Sequence, residues 1–157
     1  MSLLDRLSER LSEHFSLGEF TISAKAMPPE CKSYLEKGFN PENYKALKYS
    51  ATKMEKVRAL LNQPVIINCG LRTVEWEHYR GRKGTSQHVT GQAIDFVCPA
   101  FGKPIDICKF LVKHQAEIEW DQIIQEHGWV HISFVENSKP RGTVLTLTDQ
   151  GGYRPGL

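Results

Sequence analysis

At 157 residues the chain has the size of one ordinary domain and is long enough to bury a core without disulfide staples. Its 40% hydrophobic and 24% charged residues are those of a globular protein, and a net charge of +2 excludes the strongly basic balance of a nucleic-acid binder. No run approaches the roughly 20 apolar residues of a bilayer span, so membrane insertion is not expected.

Leu3, Leu4, Leu7 and Leu11 interleave with Asp5, Arg6, Glu9 and Arg10, which predicts an amphipathic helix over residues 1–15 in place of a signal peptide's apolar run. The protein is therefore expected to be made and folded in a reducing cytoplasm. Cys31, Cys69, Cys98 and Cys108 form no C-x-x-C pair and read as small core residues. Residues 16–40, with Pro28, Pro29 and Gly38, read as irregular. Asn40-Pro41 is a helix start, with Asn40 as cap and Pro41 at the first helical position. That helix runs to about Asn62 and buries Leu47, Ala51, Met54, Val57, Leu60 and Leu61; Pro64 stops it.

Val65 to Cys69 is a β-branched run closed by Gly70, a buried strand. Leu71 to Val89 is polar and reads as a long loop holding one helical turn, a length more often functional than accidental. Ala93 to Cys98 is a second strand and Lys103 to Glu117 a helix. Asp121 to Gln125 and Trp129 to Val135 are two strands joined at His127-Gly128, Thr143 to Thr148 is another, and residues 150–157 read as a flexible Gly/Pro tail. No repeat or linker divides the chain, so one domain is expected over 1–157, with its core at about 15–149. The class is α+β, a small, mostly antiparallel sheet flanked by helices.

Three residues stand out against their surroundings. Strand alternation puts Asp95 on the face of Ala93 and Val97, opposite Ile94 and Phe96. A carboxylate in such a strand is costly unless it is paired, with Arg72 or Arg80 as candidates, or binds a metal. His88 ends the polar loop seven residues earlier, and His131 sits inside the apolar strand Trp129 to Ser133. Two histidines and a carboxylate suit zinc with one open position for water. Taken alone, His131 reads more readily as a satisfied core histidine than as a ligand.

Ser86-Gln87-His88, Gly91, Ala93 and Asp95, followed by Trp129-Val130-His131, resemble the zinc-binding pattern of the D-Ala-D-Ala carboxypeptidase and L-Ala-D-Glu endopeptidase family. Pro64 to Arg72 resembles that family's I-x-S-G-Y-R strand and turn. Residues 20–26 resemble the start of its small phage and prophage branch, and Asp121 to Glu126 resembles the strand before Trp-x-His. The resemblance runs from about residue 15 to 135. It implies a D-Ala-D-Ala peptidase/Hedgehog-like fold, one zinc per chain on His88, Asp95 and His131, and a peptidase acting on peptidoglycan stem peptides. It further implies that Arg72 binds and polarises the substrate peptide. On this reading Gln87, Ser86 and Trp129 are candidate substrate contacts, Gln87 and Ser86 also orient His88, and Ser133, on His131's face of the strand, is a candidate hydrogen-bond partner for it. Trp129 alternatively fills the core.

Two departures follow. Gly70-Leu71-Arg72 stands for Gly-Tyr-Arg, and Gly128 occupies the position, three before the last histidine, where many relatives carry the catalytic acid. The nearest acid is Glu126, five before His131, with His127 as the competing base. Alternation along one strand would turn Glu126 away from His131's face, so a bend at Gly128 is expected to bring it back. The implied setting is a phage or prophage wall-digesting protein, released through a holin or carried on the virion. The alternatives are a non-catalytic wall-peptide-binding virion protein and a cytoplasmic peptidase of D-amino-acid dipeptides.

Overall fold

The computed structural model describes residues 2–21 and 28–157. The segment that resembles the phage-branch start lies largely outside them. Helices α1 (Leu17–Thr21), α2 (Pro29–Gly38), α3 (Pro41–Leu61), α4 (Val74–Tyr79), α5 (Pro104–Lys113) and α6 (Gln115–Ile118) accompany strands β1 (Ile66–Cys69), β2 (Ala93–Val97), β3 (Gln122–Gln125), β4 (Val130–Ser133), β5 (Thr143–Leu147) and β6 (Tyr153–Pro155). The strands form a six-stranded sheet in the order β1-β2-β4-β3-β5-β6. All neighbours are antiparallel except β3 and β5. The class is α+β with a mostly antiparallel open sheet.

Helix α3 starts as its sequence requires. Asn40 and Asn43 form a reciprocal capping box, Pro41 needs no amide partner at the first position, and Asn62 ends the helix in the left-handed conformation. Leu47, Ala51, Met54 and Val57 are fully buried on its inner face. One sheet face, made of Ile67, Ile94, Phe96, Ile123, Val130 and Ile132, joins these side chains and Ile107, Cys108 and Leu111 of α5 in one core. At roughly 1.5–3 kcal/mol per buried aliphatic or aromatic side chain, this face supplies much of the force that fixes the strand registers. Cys31, Cys98 and Cys108 are buried and unbridged, as small core residues should be.

Four local expectations change. The opening residues form only a 3-10 turn at Leu4–Arg6. The chain then folds back through an Arg10–Ser16 bridge, with Glu55 of α3 accepting from Ser12 Oγ and the His14 amide, and Phe15 and Leu17 are buried. Residues 16–40 contain α1 and α2, whereas the polar loop holds α4 as the helical turn expected there, followed by a 3-10 turn at Gln87–Thr90. The helix expected to reach Glu117 breaks at His114 into α5 and α6, and Glu119 ends α6 at φ 59°. Residues 153–155, expected within a flexible tail, form the edge strand β6: Leu145, Thr146 and Leu147 pair with Pro155, Arg154 and Tyr153. Among the described residues no helix is long and apolar enough to cross a membrane.

Candidate metal centre and cleft

The second sheet face carries the chemistry. Asp95 on β2 pairs with Cys69 on β1 and with His131 on β4, and His131 pairs with Ile124 on β3. Register partners share a face, so these side chains stand in one row across the sheet. His88 reaches the row from the 3-10 turn. Ser86 Oγ accepts from the His88 amide, Gly91 ends the turn at φ 79°, and Ser50 Oγ of α3 donates to the Gly91 carbonyl at 2.8 Å. The longest helix thus braces the turn that aims His88.

The three residues singled out by the sequence meet. His88 Nε2 lies 3.2 Å and His131 Nδ1 3.1 Å from the same Asp95 oxygen, and the three residues are almost completely buried. His88 Nδ1 lies 2.7 Å from the Gly70 carbonyl, which only accepts, so Nδ1 carries the hydrogen. Burial lowers the His88 pKa, against the pull of Asp95, and favours the neutral ring. In that form Nε2 presents a lone pair to a carboxylate oxygen. Burial opposes ionisation of Asp95, but His88 and His131 outweigh it and hold the carboxyl well below its ordinary range. With the neutral ring, two acceptors face each other at 3.2 Å, an arrangement that a bound cation would satisfy, and imidazole and carboxylate donors are a set zinc accepts.

Cys69, not His131, completes the group whose donor atoms are mutually close. Its sulfur and donor atoms of His88 and Asp95 all lie within 4.8 Å of one another. Burial pushes the Cys69 thiol up to about 12, and the residue is not among those lining the cleft, whereas His131 is. The sequence reading placed Cys69 among inert core residues; only the β1–β2 register brings it beside the site.

A cleft of about 690 Å³ opens over this face. Arg72, Ser86, Gln87, His88, Asp95 and His131 line it, as do Glu126 and Trp129. Arg72 is held from behind by Glu77 of α4, Nε to Oε1 at 3.1 Å, both side chains largely buried. Gln87 donates to Asp121, which is clamped by Arg141 at 2.6 Å. Trp129 is 37% exposed and forms cleft wall, not core. His127 is exposed and absent from the lining, and the buried Ser133 hydroxyl has no hydrogen-bond partner among the described residues.

Glu126 reaches His131's face through the β3–β4 hairpin, whose bend at residues 127–129 includes Gly128, as expected. Ile124 pairs with His131 across the β3–β4 hairpin, and Glu126 follows Ile124 by two residues, so ordinary alternation already turns it to the site face. Gly128 has no positive φ, and a Cβ added there would meet nothing within 4 Å. Burial raises the Glu126 pKa, with His131 opposing and Asp95 assisting. A largely buried acid with a raised pKa, at the edge of a cleft, is the kind of group that moves protons in catalysis.

The sequence model of the family described as Peptidase M15 matches residues 13–133. No curated protein matches the chain.

Proposed function

The chain belongs to the peptidase M15 family, zinc-dependent metallopeptidases, and from that premise we propose that it hydrolyses peptidoglycan stem peptides in the cleft over His88, Asp95 and His131. The observation that carries the reading is the shared Asp95 oxygen, 3.2 Å from His88 Nε2 and 3.1 Å from His131 Nδ1, on the floor of an open cleft that also holds Glu126.

These three residues would hold zinc, one ion per chain, with Cys69 beside the site. When bound, the ion supplies Lewis-acid polarisation of the scissile carbonyl and lowers the pKa of a nucleophilic water. Asp95 and the two imidazoles are pre-oriented for it, His88 by its bond to the Gly70 carbonyl. Glu126 takes the proton from the attacking water and returns it to the departing amine. Arg72, fixed by Glu77, presents positive charge where the carbonyl oxygen becomes an oxyanion. Trp129 offers an aromatic wall to the peptide, and Ser86 and Gln87 hold the His88 turn at the rim.

Glu126 on the site face favours turnover over a non-catalytic wall-peptide-binding role, which drew its support from the absence of an acid at position 128. The small phage-branch resemblance supports a phage or prophage wall-digesting role, with holin-dependent release or virion carriage as the route to the wall.

The test is digestion of purified peptidoglycan, followed by new amino groups and by mass spectrometry of released peptides. Wild type releases peptides whose ends identify the bond cut, D-Ala-D-Ala or L-Ala-D-Glu. Glu126→Gln and chelator-treated protein release none. Zinc-loaded wild type that binds wall peptide without cutting it would return the binding reading to the front. Cleavage of free D-amino-acid dipeptide with intact wall untouched would instead favour the dipeptidase.

A further inference from the structure

The family match ends at residue 133, but the cleft does not: Leu145, Leu147 and Tyr153 line it from β5 and β6. The registers explain their position. Gln125 pairs with Thr146 in the parallel β3–β5 ladder, and Leu147 pairs with Tyr153 across the β5–β6 hairpin. Continued by one residue, the first register sets Glu126 beside Leu147. Trp129, Glu126, Leu147 and Tyr153 then form a single row along the cleft wall. In that row the Tyr153 hydroxyl lies 3.5 Å from Glu126 Oε1, and no other described side chain bonds the Glu126 carboxylate.

Resting on the peptidase reading, we infer that Tyr153 is a positioning residue for the general base, its phenol donating to Glu126 Oε1 so that Oε2 faces the water and the leaving amine. A carboxylate without such an anchor samples several rotamers, and only some direct an oxygen at the reacting atoms. The phenol suits the task because burial and the neighbouring Glu126 raise its pKa, keeping it a donor. The 3.5 Å separation exceeds the usual O–H···O range of about 2.5–3.0 Å, and on this inference the contact tightens when substrate closes the site, as catalytic contacts often do.

Tyr153→Phe removes the hydroxyl and keeps the ring. With zinc-loaded protein and a purified stem peptide, kcat is expected to fall about tenfold while KM stays within about twofold. Tyr153→Ala is expected to raise KM as well, because the wall goes with it. A second readout needs no turnover: the carboxyl carbon resonance of Glu126 in 13C-glutamate-labelled protein, assigned with Glu126→Gln, is expected to move in Tyr153→Phe. Backbone amide signals outside β6 stay in place. An unmoved Glu126 resonance overturns the inference whatever the kinetics. A moved resonance with wild-type kcat overturns the positioning role and leaves a contact without a task. A moved resonance in a protein whose wild type cleaves no stem peptide keeps the contact and overturns the peptidase reading instead.

Discussion

Asp95 and His131 are register partners on adjacent strands, and their side chains meet at 3.1 Å on the face that His88 closes from the other side. A donor pair set by backbone pairing needs little reorganisation to accept an ion. Elemental mass spectrometry is expected to find about one zinc per chain in wild type and in Cys69→Ser, and almost none in His88→Ala or His131→Ala. Retention in His131→Ala with loss in Cys69→Ser would move the third ligand to the sulfur. Zinc at about 100 times its dissociation constant should add about 2.7 kcal/mol, raising Tm by roughly 5–10 °C, reversed by chelator.

Arg72 and Glu77 form a largely buried ion pair at 3.1 Å whose alignment falls short of a hydrogen bond. Arg72→Ala is expected to lower kcat/KM about a hundredfold or more, through loss of oxyanion stabilisation. It should also destabilise the fold by about 3 kcal/mol, because Glu77 is left buried and uncompensated. Denaturant titration should show the double variant Arg72→Ala/Glu77→Ala to be more stable than Arg72→Ala alone. Equal stabilities would mean that the pair carries no coupling.

Asp121 is almost completely buried and accepts from Arg141, at the backbone amide and the guanidinium, and from Gln87. Burial raises its pKa, but the Arg141 bonds outweigh this and the net shift is downward. A depressed folded pKa stabilises the protein above the unfolded value of about 3.9, and the contribution fades as pH falls through the folded one. Asp121→Asn should therefore cost about 1–3 kcal/mol at pH 7 and progressively less below about pH 4. Urea titrations at both pH values check it, and a pH-independent difference contradicts the linkage.

Two glycines should behave oppositely. A Cβ on Gly70 would fall 2.2 Å from the Phe20 carbonyl oxygen, a backbone atom that cannot step aside, whereas one on Gly128 meets nothing. Gly70→Ala is expected to cost about 2–4 kcal/mol and to disturb the carbonyl that orients His88. Gly128→Ala should stay within about 0.5 kcal/mol of wild type and keep its activity. A large loss in Gly128→Ala would mean that the bend joining β3 to β4 requires glycine.

Legibility in the sequence tracked the locality of the signal. Helix α3 was readable because Asn40, Asn43 and Pro41 act within one turn, and β1, β2 and β5 because their β-branched runs end at Pro or Gly. The opening helix was not, since its leucines fit a helical period and yet Phe15 and Leu17 gain more by folding back onto the core. Nor was β6, whose three residues carry no apolar alternation and exist through pairing with β5. Trp129 was ambiguous because an aromatic residue opening an apolar strand fits core or wall alike.

By itself the sequence determined the α+β class, the β2 face that Asp95 shares with Ala93 and Val97, and the candidates His88, Asp95 and His131, since residue type and short-range period suffice for those. Tertiary structure decided which side chains share the site with them. The β3–β4 register turned Glu126 to His131's face, the β1 bulge set Cys69 opposite Asp95, and the β5–β6 hairpin brought Tyr153 to Glu126. Each of these depends on pairing between strands separated by turns, and a shift of one residue would send every side chain to the other face.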